Sequence, residues 1–144
     1  MAFYSDNNGA PFTGKHGLMD RDFAPATAVI VPNSARTVYI SGIVGDNEDG
    51  SFGDFRTQCF LVFEKIAKVL QAAHPDFKSA QEAWASVFEV TAYHVGSLPD
   101  HLPIELEAAN KYLAGAHPTW TSAGVSNLFH EGQSYEIHVK AALP

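Results

Sequence analysis

Two spacings of hydrophobic residues along the chain predict two helices and several strands. Apolar residues recur every three or four positions over residues 55–73, and Asp54 precedes this stretch as a candidate N-cap. A second helix is predicted over residues 102–114, with Gly115 ending it, and residues 79–85 fit one further helical turn. The apolar stripe of the first helix is wide, which is typical of a helix that packs on a sheet.

Apolar and β-branched runs predict strands over residues 26–31, 37–44, 87–95, 121–129 and 134–143. The last two are separated by a short glycine-containing turn, residues 130–133, and are therefore predicted to form a hairpin. Ser41-Gly42 interrupts the second strand. A glycine inside a strand is typical of a bulge or of a close backbone approach.

The final strand alternates strictly between polar and apolar side chains. Glu136, His138 and Lys140 share one face, because successive side chains of a strand point to opposite sides. Such a row of polar groups on an otherwise apolar strand predicts the lining of a cleft.

The order β-β-α-β-α-β-β predicts an α+β fold, a single sheet with two helices on one face. We expect a second subunit to cover the other face of the sheet. Residues 1–23 are interpreted as an irregular N-terminal arm and residues 24–144 as one domain, since no repeat or linker interrupts them.

Composition narrows the classes of partner. The chain has 144 residues, 46% of them hydrophobic, and a net charge of −7, which repels nucleic acid and anionic membranes. We expect neither as a partner. A single cysteine, Cys59, excludes an internal disulfide, and no secretory signal is visible, so a cytoplasmic protein is expected.

Sequence motifs for metals, phosphates and nucleophilic serines are not found. The seven histidines show no metal-binding spacing, and the glycines of residues 46–53 lack a phosphate-loop lysine. No Gly-x-Ser-x-Gly motif is present. We therefore expect no metal and no cofactor.

A series of segments resembles one family. The segments are Thr-Val-Tyr-Ile-Ser-Gly (37–42), Phe-Glu-Lys-Ile-Ala-Lys-Val-Leu-Gln-Ala-Ala (63–73), Val-Phe-Glu-Val-Thr-Ala-Tyr (87–93) and His-Pro…Tyr-Glu-Ile-His-Val-Lys-Ala (117–141). In their order and spacing they are similar to the Rid/YjgF family, the reactive-intermediate deaminases. The resemblance implies a chorismate-mutase-like subunit and a homotrimer with a small-molecule cleft at each subunit interface.

The resemblance also assigns candidate site residues. Deaminating relatives have Pro-Ala-Arg-Ser, whose Arg grips a substrate carboxylate; here the pattern is Pro118-Thr119-Trp120-Thr121, which places Trp120 at the Arg position. Glu136 falls at the water-positioning Glu, and the retained Ser is Ser41. The predicted catalytic residues are Glu136 and His138, and the predicted substrate-binding residues are Trp120, Ser41, Thr119 and Tyr93. Each has a structural alternative: a strand or interface residue without a chemical role.

Two functions remain open at this point. The first is an enzyme that deaminates an enamine or imine, or performs a related hydrolysis or isomerisation, on a small reactive metabolite. Without the Arg, simple 2-imino acids are not expected as substrates, and the indole of Trp120 favours a larger or more apolar ligand. The alternative is a non-catalytic trimer that binds a metabolite or protein. Ribonuclease activity, also associated with the family, fits the acidic chain least.

Overall fold

The computed structural model describes residues 3–5, 26, 28–113 and 115–144. Within these residues the chain forms a mixed α+β fold, as predicted. The strands are β1 (Phe3–Ser5), β2 (Ala28–Ile30), β3 (Arg36–Val44), β4 (Val87–His94), β5 (Thr119–Gly124) and β6 (Tyr135–Leu143). The helices are α1 (Phe55–Ala73), α2 (Ala80–Trp84) and α3 (Leu98–Tyr112).

The main sheet has four strands in the order β3-β6-β4-β5. Strand β6 is antiparallel to both β3 and β4, whereas β5 runs parallel to β4. The prediction of a hairpin is therefore wrong, because β4 lies between β5 and β6 and these two strands do not pair. The turn itself is present, with Gln133 N–H donating to the His130 carbonyl at 3.2 Å, but it leads the chain across β4.

The N-terminal part differs from the prediction in two ways. Residues Phe3–Ser5 form a strand, although the arm was predicted to be irregular, and the rest of that arm lies outside the described residues. Strand β2 pairs with β1 in a separate two-stranded sheet instead of joining the main sheet. The prediction of a single sheet is corrected accordingly.

Helix α1 has the predicted bounds because its start and its apolar stripe are both encoded locally. The Asp54 side chain accepts a hydrogen bond from Thr57 N–H at 2.8 Å and thereby caps the first turn. The buried residues of the helix then recur at helical spacing: Gln58, Cys59, Val62, Phe63, Ile66, Ala67 and Leu70. This stripe belongs to the core cluster that also contains the inward side chains of the main sheet.

Helix α3 begins four residues earlier than predicted, at Leu98. Pro99 lies in its first turn, where a helix needs no backbone donor, so this proline does not exclude a helical start. Helix α2, over Ala80–Trp84, is close to the predicted helical turn.

The two faces of the main sheet differ sharply. On the side of the helices, Val90, Ala92, Ile137 and Val139 are almost fully buried. We call the opposite side the open face; it carries the alternate residues of β4 and β6, which are only half-buried. In the described part of the chain no helix is long and apolar enough to cross a membrane.

Candidate functional site

The open face holds the polar row that the final strand predicted. Along β6 the buried and half-buried residues alternate, and Glu136, His138 and Lys140 are the half-buried ones. The alternation is thus confirmed. On the neighbouring strand β4, Tyr93 pairs with Glu136 and Thr91 pairs with His138, so these side chains share the same surface.

An irregularity in the neighbouring strand β3 makes room for the Glu136 side chain. Between Ile40 and Ile43 the register of β3 against β6 shifts, which is the bulge predicted at Ser41-Gly42. A Cβ atom at position 42 would lie 2.5 Å from Glu136 Oε2. A side chain at this position would therefore displace the carboxylate from its place against the strand.

The other carboxylate oxygen of Glu136 has a protein donor. Gln133 Nε2 donates to Glu136 Oε1 at 3.2 Å, and the Gln133 side chain is only 3% exposed. From the sequence, Gln133 was predicted only to lie in a turn. Its position three residues before Glu136 was the available signal, but nothing local distinguishes such a contact from an exposed turn glutamine.

His138 and Tyr93 form a small aromatic surface beside this carboxylate. Their rings stack with centroids 5.9 Å apart and planes inclined by 15°. Because same-face residues of a strand are about 7 Å apart, His138 and Glu136 are close enough to contact one small ligand. Ser41 lies in the bulge opposite His138 and is exposed.

The remaining open-face groups are a charge pair and threonines. Lys140 Nζ is 2.9 Å from Glu89 Oε1, so its charge is already compensated. Thr119 pairs with Glu89 and donates through its hydroxyl to the Phe88 carbonyl at 3.3 Å. Thr119 therefore lies on the predicted face.

Trp120 lies on the other side of the sheet. It pairs with Val90, a residue of the helix-side core, and its ring is 6.2 Å from that of Phe63 in α1. Its Nε1–H donates to Ser122 Oγ at 2.9 Å. The sheet thus separates Trp120 from Glu136, so the two side chains do not share one face of this chain. The side chains of β5 on the open face are Thr119, Thr121 and Ala123.

A second polar cluster, which sequence analysis missed, is buried between α3 and the sheet. Glu105, 5% exposed, accepts hydrogen bonds from Ser122 Oγ at 2.6 Å and from Tyr135 Oη at 2.7 Å. His94 Nε2 lies 2.7 Å from the same carboxylate, and His94 Nδ1 is 3.3 Å from His101 Nδ1. We call these five residues the Glu105 cluster.

The Glu105 cluster affects the ionisation of its neighbours. Burial, together with the adjacent carboxylate, raises the pKa of Tyr135 well above its ordinary value. Burial and then the neighbouring His94 lower the pKa of His101. The described residues contain no group of three or more side chains able to hold a metal ion. Its hydrogen bonds are directed inward, so the cluster links helix α3 to strands β5 and β6.

Comparison with known proteins identifies the family. The family model described as Endoribonuclease L-PSP matches residues 24–143. The chain belongs to this family, the Rid/YjgF family. Among curated proteins no sequence matches it.

Solved structures agree with membership of the Rid/YjgF family. A protein of unknown function of the conserved Rid family, YyfB from Yersinia pestis, is 25% identical with a TM-score of 0.72, over 93% of this chain and 96% of that one. RidA from the Antarctic bacterium Psychrobacter sp. PAMC 21119 is 26% identical with a TM-score of 0.63, over 85% and 96% of the two chains. The predicted resemblance and the fold class are both confirmed.

Proposed function

We propose that this Rid/YjgF protein is an enzyme that adds water to a small reactive imine or enamine on the open face, with Glu136 as the acid/base group. One observation carries the proposal. The Glu136 carboxylate is held between Gly42 and Gln133 on a half-buried face, beside the ring of His138. A carboxylate fixed in this way, in reach of solvent and of a titratable imidazole, is suited to general acid–base catalysis.

The reaction needs only proton transfers and water. Glu136 takes a proton from a water molecule while the water oxygen adds to the imine carbon, and Glu136 then passes this proton to the imine nitrogen. The resulting carbinolamine gives its hydroxyl proton back to Glu136 as the carbon–nitrogen bond breaks. His138, on the same face, assists by relaying this second proton to the leaving nitrogen, so that ammonia departs and a carbonyl compound remains.

The charges of the open face favour a substrate without a carboxylate. All residues of β4, β5 and β6 are described, and their open-face side chains include one cation, Lys140, which pairs with Glu89. Thr119 and Thr121 offer hydroxyls in the region where deaminating relatives supply an Arg. An uncharged imine or enamine is therefore preferred to a 2-imino acid. Because Trp120 faces the core, its indole gives no reason to expect an aromatic ligand.

A second subunit is proposed to complete the cleft. Members of the family are typically homotrimers, and the open face of one subunit is a half-buried surface with exposed Tyr39 beside Lys140. Covering this face would exclude bulk water from around Glu136 and strengthen its interactions with substrate. RNA is a poor candidate for the same surface, since the chain has a net charge of −7.

The test compares two imines generated in situ, one from a primary amine and 2-iminopropanoate from alanine. The rate at which each imine disappears is measured by trapping with semicarbazide. We expect the wild type to accelerate loss of the uncharged imine, and Glu136→Gln to reduce that acceleration by a factor of about 100 or more. Glu131→Gln, the same change at an exposed residue of the preceding turn, is the control and should have no effect.

Two results would reject parts of the proposal. Equal or faster turnover of 2-iminopropanoate would show that the charge argument is wrong. No acceleration of either imine would favour a trimer that binds a metabolite or protein without catalysis. Acceleration that survives Glu136→Gln would show that Glu136 is not the acid/base group.

A further inference from the structure

The orientation of the Gln133 amide is fixed by its surroundings. Its Oε1 accepts a hydrogen bond from His130 N–H at 3.1 Å, and the side chain is 3% exposed. Because the carbonyl end is already engaged, the NH₂ end is the one that faces Glu136 Oε1, at 3.2 Å. The amide therefore acts here as a donor of defined direction.

The turn that carries Gln133 is itself tied to helix α1. Gln58, 1% exposed, accepts a hydrogen bond from Ser134 N–H at 2.8 Å and donates to the Gly132 carbonyl at 3.0 Å. The same amide donates to the Gly53 carbonyl at 2.8 Å, just before the helix. The three hydrogen bonds of the buried Gln58 side chain restrict movement of the turn, and they thereby restrict the position of Gln133.

The two oxygens of Glu136 consequently have different surroundings. Oε1 accepts from Gln133, whereas Oε2 lies against the backbone of Gly42, where no Cβ is present to displace it. From this geometry we propose that Gln133 is a positioning residue: it caps Oε1 and fixes the carboxylate so that Oε2 is presented to the open face. The inference rests on the proposed function for its effect on rate, but the contact itself can be tested without turnover.

The first test uses Gln133→Glu, which keeps the size of the side chain and its acceptor for His130 N–H. The change replaces the donor by a second carboxylate, which repels Glu136 from its place. We expect kcat to fall about 10- to 100-fold while KM changes less than about threefold, because the base is misplaced but the binding surface remains. Gln71→Glu, at a glutamine whose amide donates to the Phe77 carbonyl, is the matched control.

A double variant separates positioning from general stability. In Glu136→Gln with Gln133→Glu, donor and acceptor are exchanged, so the hydrogen bond can reform in the opposite sense. The melting temperature should return toward the wild-type value, while kcat stays at the level of Glu136→Gln alone. A further, additive loss of kcat in the double variant would overturn the proposal, because Gln133 would then act independently of Glu136.

The second test needs no activity. The side-chain amide resonances of ¹⁵N-labelled Gln133, identified by their loss in Gln133→Glu, should shift in Glu136→Ala and remain in place in Glu131→Ala. Unmoved signals in Glu136→Ala would overturn the proposal even in an active enzyme. Shifted signals in a protein that turns over no imine would uphold the positioning of Glu136 and reject the proposed reaction instead.

Discussion

Removing the buried carboxylate of Glu105 tests the stability argument most directly. Glu105 accepts hydrogen bonds from Tyr135 and Ser122 and lies 2.7 Å from His94 Nε2. Glu105→Ala leaves the Tyr135 hydroxyl and the His94 imidazole without this partner, and both residues are 0% exposed, so water cannot replace it.

The expected magnitude follows from these two stranded groups. A buried polar group that loses its partner costs about 1–3 kcal/mol, and two such groups are left here. We expect Glu105→Ala to lower the free energy of unfolding by about 3–5 kcal/mol. Glu105→Gln keeps one carbonyl oxygen, and the Ser122 hydroxyl can turn to accept from the new amide, so its cost should be about 1 kcal/mol.

The measurement is urea unfolding at pH 7.5, followed by circular dichroism and tryptophan fluorescence. One fixed protein concentration is used, because the unfolding of the proposed trimer would depend on concentration. Glu107→Ala is the control. It lies two residues along the same helix, is exposed, and accepts a hydrogen bond from Arg56 at 2.9 Å, so its loss should hardly change the unfolding midpoint. If Glu105→Ala were no more destabilising than Glu107→Ala, the cluster would not stabilise the fold.

Three further predictions concern single side chains. Gly42→Ala would place a Cβ 2.5 Å from Glu136 Oε2, so imine turnover should fall at least about tenfold, and an unchanged rate would show that the carboxylate does not need this site. Burial raises the pKa of the Cys59 thiol, which is 0% exposed, so it should react with an aromatic disulfide reagent in urea but not in the native protein. Burial lowers the pKa of His101 below its ordinary value in the folded protein, so the unfolded chain binds the proton more readily and stability falls as the pH drops through the range in which histidine titrates. His101→Phe should make the urea midpoint less sensitive to a change from pH 7.5 to 5.5, and an unaltered sensitivity would contradict this assignment.

The sequence predicted those parts of the fold that depend on local patterns. Helix α1 has its predicted bounds because its cap lies directly before it and its apolar stripe lies within it. The alternation of β6 follows from the two-residue period of a strand. The pairing of strands was predicted wrongly, since the closeness of β5 and β6 in the chain suggested a hairpin. Strand order depends instead on how the whole sheet packs, and here β4 is inserted between them.

In the candidate site, too, local features were predicted correctly, whereas features that depend on packing were not. Gly42 was predicted from sequence as a bulge or close approach, and both are present. Trp120 was assigned to the cleft from its position in a family pattern, but the side of the sheet that it faces depends on the register of β5 with β4. Glu105 could not be recognised either, because an isolated Glu on a helix resembles an exposed one until the residues that meet it are known.

The Glu105 cluster and the polar row of the open face are connected through consecutive residues of β6. Tyr135 points into the Glu105 cluster, and the next residue, Glu136, points to the open face. A shift of β6 by one residue would exchange these faces and bury Glu136 in the core, since side chains alternate along a strand. The hydrogen bond from Tyr135 to Glu105 opposes such a shift, because it is available in one register only. The buried cluster therefore contributes to the site by fixing the strand on which the proposed acid/base group is carried.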